Sequence, residues 1–238
     1  MTPSEIEDIS ERLREAPTAA ITGHLFKKHG MRMRWIQGVR PLDAGNCRFA
    51  GPAYTLRYVP QREDLWASTD LGASDSKVLR VMEEIPAGAV LVLDMYRETS
   101  VGALGDVLVS QLICRGVAGI VADGGMRDVR QISQLGLPVH CSGPASPPSP
   151  AGLMPVDVQG IVGCGGVAVV PGDFVVADED GVVVIPAELA ADVAEGALQK
   201  EAQDAWIQKQ VAAGCGVRGY YPPSDDTLAR YRRETGGD

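Results

Sequence analysis

Two short aliphatic runs, each ending in an aspartate, constrain the fold of this chain more than any other feature. The first is AVLVLD (89–94) and the second is AGIVAD (118–123), and a glycine-rich loop and a helix-length segment (104–115) lie between them. A further short helix and a strand near 137–141 continue the alternation. Strand, helix and strand in this rhythm imply right-handed crossovers. We therefore predict an α/β fold with a central, largely parallel sheet.

The N-terminal segment predicts a helix from about Ser4 to Ala16. Its apolar residues follow helical spacing, Ser4 is the expected N-cap, and Pro17 ends the helix. This helix is amphipathic and charged, so its apolar side is expected to pack against the rest of the chain.

The second half of the chain begins with a segment rich in serine, proline and glycine (141–152), which we interpret as a surface loop within one domain rather than a linker. The run VAVVPGDFVVADEDGVVVIP (167–186) predicts three short strands joined by tight turns. A long helix is expected from Pro186 to about Ala213. The polar tail beyond it is expected to wrap over a neighbour or to fray.

The composition argues against several classes of partner. The chain has 22 basic and 31 acidic residues, which gives a formal net charge of −9. A surface that binds nucleic acid generally needs a basic stripe, so we expect no nucleic-acid partner. No apolar run approaches the roughly 20 residues of a membrane span, and the N-terminus has no apolar targeting segment. We expect a cytoplasmic protein without a membrane partner.

Three weaker patterns have plain structural interpretations. The motif GCGGVA (163–168) fits G-x-G-x-x-A, but a strand follows it, so a tight turn is favoured over a dinucleotide site. The five cysteines are widely spaced without C-x-x-C, which favours free thiols. His24 and His29 are five residues apart, a spacing that does not place them on one helical face, and no H-E-x-x-H occurs. The sequence therefore does not favour a histidine-built zinc site.

Charged residues follow the glycine-rich loop and the second aliphatic strand. Asp106 opens a predicted helix, and Arg127 and Asp128 come just after ADGGM. Loops beyond the carboxyl ends of neighbouring parallel strands converge on one crevice. A hard divalent cation binds through one or two carboxylates and several waters, and a guanidinium grips a carboxylate in bidentate fashion. The three residues are compatible with a site for a 2-keto acid, with helix capping and surface salt bridges as the alternative.

Gly102, Asp106, Arg127 and Asp128 together match a known signature. Their spacing, G-x3-D-x20-R-D, resembles that of the divalent-metal pyruvate aldolases, the 4-hydroxy-4-methyl-2-oxoglutarate and 4-carboxy-4-hydroxy-2-oxoadipate aldolases of the RraA-like superfamily. Further blocks, among them GVRPL, AGPAYTLR, IPAGAVLVLD and VPGDFVVADEDGVVVIP, extend the resemblance over roughly residues 18–214.

The resemblance implies a role for each residue of the signature. Asp128 would be the direct protein ligand of Mg²⁺ or Mn²⁺, and Asp106 would hold a metal-bound water. Glu201, on the last helix, would reach a metal-bound water in the adjacent subunit. Arg127 would bind the pyruvyl carboxylate and keto oxygen. Opposite Arg127 would lie the backbone amides of the substrate-binding loop, Gly102, Ala103, Leu104, Gly105 and Asp106.

The resemblance also implies the architecture and the assembly. The fold would be a swivelling β/β/α sandwich that forms a single domain, and the subunits would form homotrimers or homohexamers with sites between them. The implied divisions are an N-terminal helix (1–17), the α/β catalytic domain (18–186), and a C-terminal helix and tail (187–238) that packs on a neighbouring subunit.

The implied reaction is the metal-dependent retro-aldol cleavage of a 4-hydroxy-2-oxo acid with release of pyruvate. A divalent cation and Arg127 would stabilise the enolate charge where it develops, and a water or hydroxide on the metal, held by Asp106, is the candidate base. Oxaloacetate decarboxylation is expected as a side activity because it passes through the same enolate. Two alternatives stay open: a lyase of a sugar-derived 2-keto-3-deoxy acid, and a non-catalytic regulator of ribonuclease activity.

Two segments depart from the aldolase pattern, GHLFKKHGMRMRWIQ (23–37) and the tail GVRGYYPPSDDTLARYRR (216–233). We expect them to shape the distal part of the substrate pocket. Four residues are candidates for contacts with distal substrate groups, although a structural or surface role is favoured for each: Arg32, Arg34, Arg57 and His140.

Overall fold

Helices and strands alternate along this chain, and the computed structural model describes residues 1–65, 71–73 and 75–236. Its α-helices are α1 (Pro3–Glu15), α2 (Thr18–His29), α3 (Lys77–Glu84), α4 (Asp106–Cys114), α5 (Val129–Leu135), α6 (Ala190–Ala212) and α7 (Asp225–Thr235). Its strands are β1 (Trp35–Ile36), β2 (Arg40–Pro41), β3 (Phe49–Pro60), β4 (Val90–Asp94), β5 (Gly119–Met126), β6 (Val139–Pro144), β7 (Leu153–Val158), β8 (Val162–Cys164), β9 (Val167–Val169), β10 (Phe174–Asp178) and β11 (Gly181–Ile185). None of the described helices is both long and apolar enough to cross a membrane.

A single large sheet organises the fold. Its strands follow the order β1-β11-β10-β3-β4-β5-β6-β2, and β7 pairs with β3 beside this path. The central strands β3, β4, β5 and β6 run parallel to one another. The flanking strands pair antiparallel. The α/β class and the largely parallel centre are as predicted, and the antiparallel flanks come from β1 and β2 near the N-terminus and from β7, β10 and β11 in the second half of the chain.

The two faces of the sheet carry different layers. Along β4, Leu91 and Leu93 face the core under α3, α4 and α5, whereas Val90 and Val92 face the core beneath the hairpin β8–β9. The other end of the helical face is covered by α1, α2 and α6. Helices, sheet and hairpin therefore form three layers, which confirms the predicted β/β/α sandwich.

The N-terminal helix begins two residues earlier than the cap prediction implies. Thr2 is the N-cap, its hydroxyl accepts from the amide of Glu5, and the Glu5 carboxylate accepts from the amide of Thr2. Ser4 therefore lies inside the helix, and its prediction as the cap was wrong. Both Thr2 and Ser4 have a glutamate three residues later, but with Thr2 as the cap Pro3 lies in the first turn, where its missing N–H costs no helical hydrogen bond.

The C-terminal half shows one confirmation and one correction. The strands β9, β10 and β11 form as predicted, and GCGGVA makes the tight turn of the β8–β9 hairpin, with Gly165 and Gly166 at φ 53° and 87°. The tail was expected to wrap over a neighbour or fray; residues 225–235 form α7, so this part does not fray, and packing on a neighbour stays a prediction. Ser224 caps this helix by accepting from the amide of Thr227, and Asp225 and Asp226 occupy its first turn, where a negative charge is favourable.

A buried aspartate joins α2 to the sheet. Asp178, at the end of β10, accepts hydrogen bonds from the Thr18 amide (2.7 Å) and from the Thr18 hydroxyl (2.7 Å). Both residues are buried. Because hydrogen bonds to a carboxylate are strong when water is excluded, Thr18 fixes the start of α2 and hence the position of the helix over the sheet.

We expect Thr18→Val to lower the free energy of unfolding by about 2 kcal/mol, because it removes one hydrogen bond to a buried carboxylate. The matched control is Thr22→Val in the same helix, where the hydroxyl donates only to the Ala19 carbonyl. The control should change stability by less than about 0.5 kcal/mol. Urea unfolding at one fixed protein concentration measures both, and equal losses would show that Thr18 is not an anchor.

Candidate functional site

Two backbone segments approach each other at the carboxyl ends of the parallel strands. The loop before α4 runs beside the end of β5, and Gly102 pairs with Gly125 as a parallel bridge. The Ala103 amide donates to the Gly125 carbonyl at 2.9 Å, and the Arg127 amide donates to the Leu104 carbonyl at 3.0 Å. The loop therefore adds one short stretch of parallel pairing to the sheet. This pairing places the start of α4 beside the residues that follow β5.

Glycine is required at two positions of this approach. A Cβ at Gly102 would lie 2.4 Å from Cγ of Arg127 and 2.8 Å from its backbone nitrogen. A Cβ at Gly105 would lie 2.5 Å from Oδ2 of Asp128. Both distances are shorter than any normal carbon contact. The carboxylate of Asp128 therefore lies directly against the residue that precedes Asp106.

Asp128 has an unusual backbone. It occupies the N-cap position of α5 with φ 48° and ψ 36°, in the left-handed region that non-glycine residues rarely adopt. Aspartate tolerates this conformation better than most residues, yet some strain remains. Strain of this kind is concentrated at functional sites. The conformation turns the Asp128 side chain away from its own helix, since it makes no capping hydrogen bond.

The three charged groups of the signature are unpaired. Within residues 1–65, 71–73 and 75–236, Arg127 and Asp128 have no side-chain hydrogen bond, and no ion pair within 4.0 Å involves Asp106, Arg127 or Asp128. Asp106 accepts only from the amide of Val107, at 2.8 Å. Asp106 and Arg127 are half-buried, and Asp128 is exposed. Surface salt bridges explain none of these residues and Asp128 does not cap α5, whereas Asp106 lies in the first turn of α4 and accepts from an amide there.

The backbone amides of the loop divide into two groups. Gly102 donates to the Pro147 carbonyl and Ala103 donates to the Gly125 carbonyl, so both are already satisfied. In the described part of the chain, the amides of Leu104, Gly105 and Asp106 have no such partner. Free amides at the start of a helix attract anions. Leu104 is fully buried, whereas Gly105 and Asp106 are half-buried, so the free amides that a substrate carboxylate can reach are those of Gly105 and Asp106.

Two aspartates hold the surrounding loops, Asp94 at the end of β4 and Asp123 inside β5, and neither had a role predicted from the sequence. Asp123 is buried in β5 and accepts from the amides of Met95 (2.6 Å) and Gly165 (2.9 Å). Burial raises the pKa of Asp123, and these amides oppose the shift. Asp94 at the end of β4 accepts from the Gly163 amide at 3.0 Å. Their position at the ends of AVLVLD and AGIVAD was the available signal.

The remaining predicted residues lie outside this cluster. Glu201 is exposed on α6, which packs in the core under α1 and α2, whereas α4 and α5 pack in the other helical core. Within one chain the structure does not bring Glu201 to the site, and its role in an adjacent subunit stays a prediction.

Four residues were candidates for contacts with distal substrate groups, and none of them contacts the signature residues in the described part of the chain. Arg57 pairs with Asp94 at 3.4 Å and also donates to the Ile161 carbonyl. His140 is fully buried, bonds the Cys47 carbonyl at 3.0 Å, and burial lowers its pKa. Arg32 lies over the ring of Phe26, 5.9 Å from its centroid. Arg57 and His140 are therefore structural, as favoured from the sequence. No contact connects Arg34 with the site in the described part of the chain.

A cavity of about 660 Å³ lies at the opposite edge of the sheet. It is formed between α1 and the residues that precede β4, β5 and β6, namely Ala87, Gly88, Ala118 and Pro138. Ligands of open α/β sheets bind beyond the carboxyl ends of the strands. The signature residues occupy that edge, so we assign the site to them and not to this cavity.

Comparison with known proteins identifies the family of this chain. A family model described as RraA-like, Aldolase/RraA, matches residues 6–184. A protein of Halalkalibacterium halodurans with the name "Putative 4-hydroxy-4-methyl-2-oxoglutarate aldolase" is 32% identical over 205 residues, which cover 86% of this chain and 88% of that protein. A protein of Thermus thermophilus with the name "4-hydroxy-4-methyl-2-oxoglutarate aldolase" is 33% identical over 60% of this chain and 78% of its own length.

A solved structure has the same fold. Streptomyces coelicolor RraAS2, described as an unusual member of the RNase ES inhibitor RraA protein family, superposes with a TM-score of 0.76 at 34% identity. The match covers 84% of this chain and 96% of RraAS2. The relatives therefore carry two kinds of name, one for an aldolase and one for a ribonuclease inhibitor.

We expect Gly102→Ala to destabilise the protein by about 1–3 kcal/mol, because its methyl group would overlap the backbone of Arg127. The control is Gly163→Ala, where an added Cβ meets no atom within 4 Å, and its effect should stay below about 1 kcal/mol. Thermal unfolding monitored by circular dichroism compares the two variants. A Gly102 variant as stable as the control would mean that the loop is not held in this close approach.

Proposed function

Because this chain belongs to the RraA-like (Aldolase/RraA) family, we propose that it is a divalent-metal-dependent aldolase that cleaves a 4-hydroxy-2-oxo acid and releases pyruvate. The observation that carries the proposal is the group of unpaired charges at Asp106, Arg127 and Asp128 beside a loop with free amides. The aldolase names of relatives at 32% and 33% identity support the same general activity.

The side chains of the site suit a hard cation. Asp106 and Asp128 offer only oxygen donors, and Mg²⁺ or Mn²⁺ prefers carboxylate oxygens together with several waters. In the described residues, Asp128 forms no ion pair with Arg127 and does not cap α5. Asp128 would hold the ion directly and Asp106 would hold water beside it. Such an ion supplies Lewis acidity at the keto oxygen of the substrate.

The residues of the chain bind and orient the substrate. Arg127 grips the carboxylate of the 2-keto acid and lies near the keto oxygen, where negative charge grows as the carbon–carbon bond breaks. The free amides of Gly105 and Asp106 donate to the same anionic end. Asp106 orients a water that accepts the proton of the C4 hydroxyl. Cleavage then leaves the pyruvate enolate and a carbonyl product, and protonation of the enolate carbon completes pyruvate.

Oxaloacetate decarboxylation follows from the same site. Loss of carbon dioxide from oxaloacetate also leaves the pyruvate enolate, so Arg127 would stabilise the same oxygen. A lyase of a sugar-derived 2-keto-3-deoxy acid would use the same pyruvyl end and differ only in the distal pocket. Cleavage of a 4-hydroxy-2-oxo acid and cleavage of a 2-keto-3-deoxy acid both release pyruvate. An assay therefore distinguishes them by which substrate is consumed.

A second candidate is a regulator of ribonuclease activity, which the description of Streptomyces coelicolor RraAS2 favours. A regulator needs a surface that binds its partner and has no need for three charges without ion pairs beside one loop. The presence of both Arg127 and Asp128 favours the enzyme. Metal-dependent turnover distinguishes it from a protein that only forms a stable complex with a ribonuclease.

We expect Asp128→Asn and Arg127→Ala each to lower kcat/KM for pyruvate release by about 100-fold or more, because each removes a charge that stabilises the enolate. The substrates are 4-hydroxy-4-methyl-2-oxoglutarate and oxaloacetate, pyruvate is coupled to lactate dehydrogenase, and Mg²⁺ or Mn²⁺ is added after treatment with EDTA. EDTA alone should abolish turnover by the wild type.

Matched controls are Asp8→Asn and Arg80→Ala, which lie on exposed faces of α1 and α3. Both should retain wild-type turnover. If the wild type releases no pyruvate with either substrate or ion, or if Asp128→Asn equals Asp8→Asn, the aldolase assignment is wrong.

The predicted role of Glu201 is tested by subunit mixing. If one site combines Asp128 of one subunit with Glu201 of the next, Asp128→Ala and Glu201→Ala proteins should each be inactive alone. Oligomers co-expressed from both should recover about one quarter of wild-type activity, because random pairing leaves that fraction of interfaces intact. No recovery, together with an active Glu201 variant, would remove Glu201 from the site without affecting the assignment of Asp128.

A further inference from the structure

A second group of metal-ligating side chains lies far from the signature, between α2 and α6. His24 and His29 on α2 both direct Nε2 at Oδ2 of Asp192 on α6, at 3.1 Å and 2.8 Å. The three ligand atoms lie within 4.8 Å of one another. Sequence spacing did not favour a histidine site, because five residues do not place two side chains on one helical face. The two imidazoles meet because both contact Asp192 of α6.

We propose that His24, His29 and Asp192 form a binding site for a divalent transition metal of the zinc type. Two imidazoles and one carboxylate are the ligand types that zinc takes in sites with an open fourth position. This site is independent of the proposed aldolase activity. Its ligands differ in kind from those of the signature, which offers only oxygen.

The distances from the Asp192 carboxylate to the two imidazoles are close to those between the ligands of a tetrahedral zinc site. Bonds of 2.0–2.2 Å from zinc to nitrogen and oxygen place neighbouring ligand atoms about 3.3 Å apart. The separations of 3.1 Å and 2.8 Å from Asp192 to the two imidazoles are a few tenths of an ångström shorter. An ion that replaces the imidazole protons would therefore need only a slight outward movement. The side chain of Asp192 is 40% exposed, so the fourth position faces solvent.

Gly196 shows that α6 leaves room for one of these ligands. A Cβ at Gly196 would lie 2.0 Å from Cε1 and 2.3 Å from Nδ1 of His24, so it would occupy the place of the imidazole ring. Gly196 is one helical turn beyond Asp192, inside the 23-residue helix α6. Glycine within a helix costs about 1 kcal/mol relative to alanine. The helix is therefore slightly less stable at Gly196, and the space left there allows the His24 ring to lie beside the helix and face Asp192.

Lys28 is the one further charged group that contacts the cluster in the described residues. Its ammonium donates to Oδ1 of Asp192, the oxygen that the imidazoles do not share. Lys28, then His24 and His29, hold the pKa of Asp192 well below its usual range, so the group is a carboxylate at neutral pH. A metal on Oδ2 is compatible with Lys28 on Oδ1, since ligating carboxylates are commonly hydrogen-bonded through their other oxygen.

The test measures Zn²⁺ binding by the full-length protein after treatment with a chelator and desalting. Zn²⁺ is titrated in competition with a chromophoric chelator. We expect wild type to bind Zn²⁺ and His29→Ala and Asp192→Asn to bind it on the order of 100-fold more weakly, because each loses a direct ligand. Asp128→Ala should keep this Zn²⁺ binding, which separates the histidine site from the proposed Mg²⁺ or Mn²⁺ site.

Lys28→Gln is the matched control, because it removes a charge from the cluster and leaves all three ligands. It should bind Zn²⁺ at least as tightly as wild type. His29→Gln is a milder second variant at the helix end, and circular dichroism of the metal-free proteins verifies that each one folds. Co²⁺ added to wild type should give the visible absorption of a tetrahedral site, and Asp192→Asn should lack it.

Two results would overturn the proposal. One is a wild-type protein whose Zn²⁺ binding does not differ from that of the folded His29→Gln and Asp192→Asn variants. The other is a loss of binding in Lys28→Gln as large as in the histidine variants, which would identify the cluster as an ion-pair network that joins the two helices.

Discussion

The close approach of two backbones at the carboxyl edge of the parallel sheet determines the geometry of the candidate site. The loop before α4 is held to the end of β5 by main-chain hydrogen bonds from Ala103 and Arg127, and glycines at 102 and 105 remove the side chains that would push the segments apart. Main-chain bonds fix atoms more narrowly than side-chain contacts do, because few torsions separate them. The order of the residues along both segments then decides which side chains meet.

The consequence of this geometry is electrostatic. Asp106 and Arg127 lie half-buried and Asp128 lies against Gly105, yet no ion pair within 4.0 Å neutralises any of them in the described chain. An unpaired charge that is withdrawn from water raises the free energy of the folded state, and this applies to the half-buried Asp106 and Arg127. Asp128 is exposed, and its cost is the left-handed backbone. The cation and the anionic substrate proposed above would compensate for both costs.

The centre of the fold could be predicted because AVLVLD and AGIVAD are nearly continuous apolar runs. Such runs are typical of parallel strands that are buried on both faces of a sheet. The sequence also predicted that the segments with Asp106 and with Arg127 and Asp128 meet, since strand ends converge in this topology, and main-chain hydrogen bonds join these segments. The roles of the three side chains stay predictions. The sequence did not predict α7, because a helix in a polar segment with two prolines before it depends on its N-cap and on packing against α6. It missed the meeting of His24 and His29, because that contact is made by a residue more than 160 positions away.

The two candidate cation sites lie over different parts of one helical layer and differ in chemistry. The site at Asp128 belongs to the core beneath α4 and α5 and offers oxygen ligands, whereas the site at Asp192 joins α2 to α6 and offers two imidazoles. Carboxylate and water suit magnesium or manganese, and imidazole suits zinc. Because the ligand sets differ, each site would select its own ion without a barrier between them. The same sheet can then position a reactive centre at one end of the layer while a metal bridge holds the helices at the other.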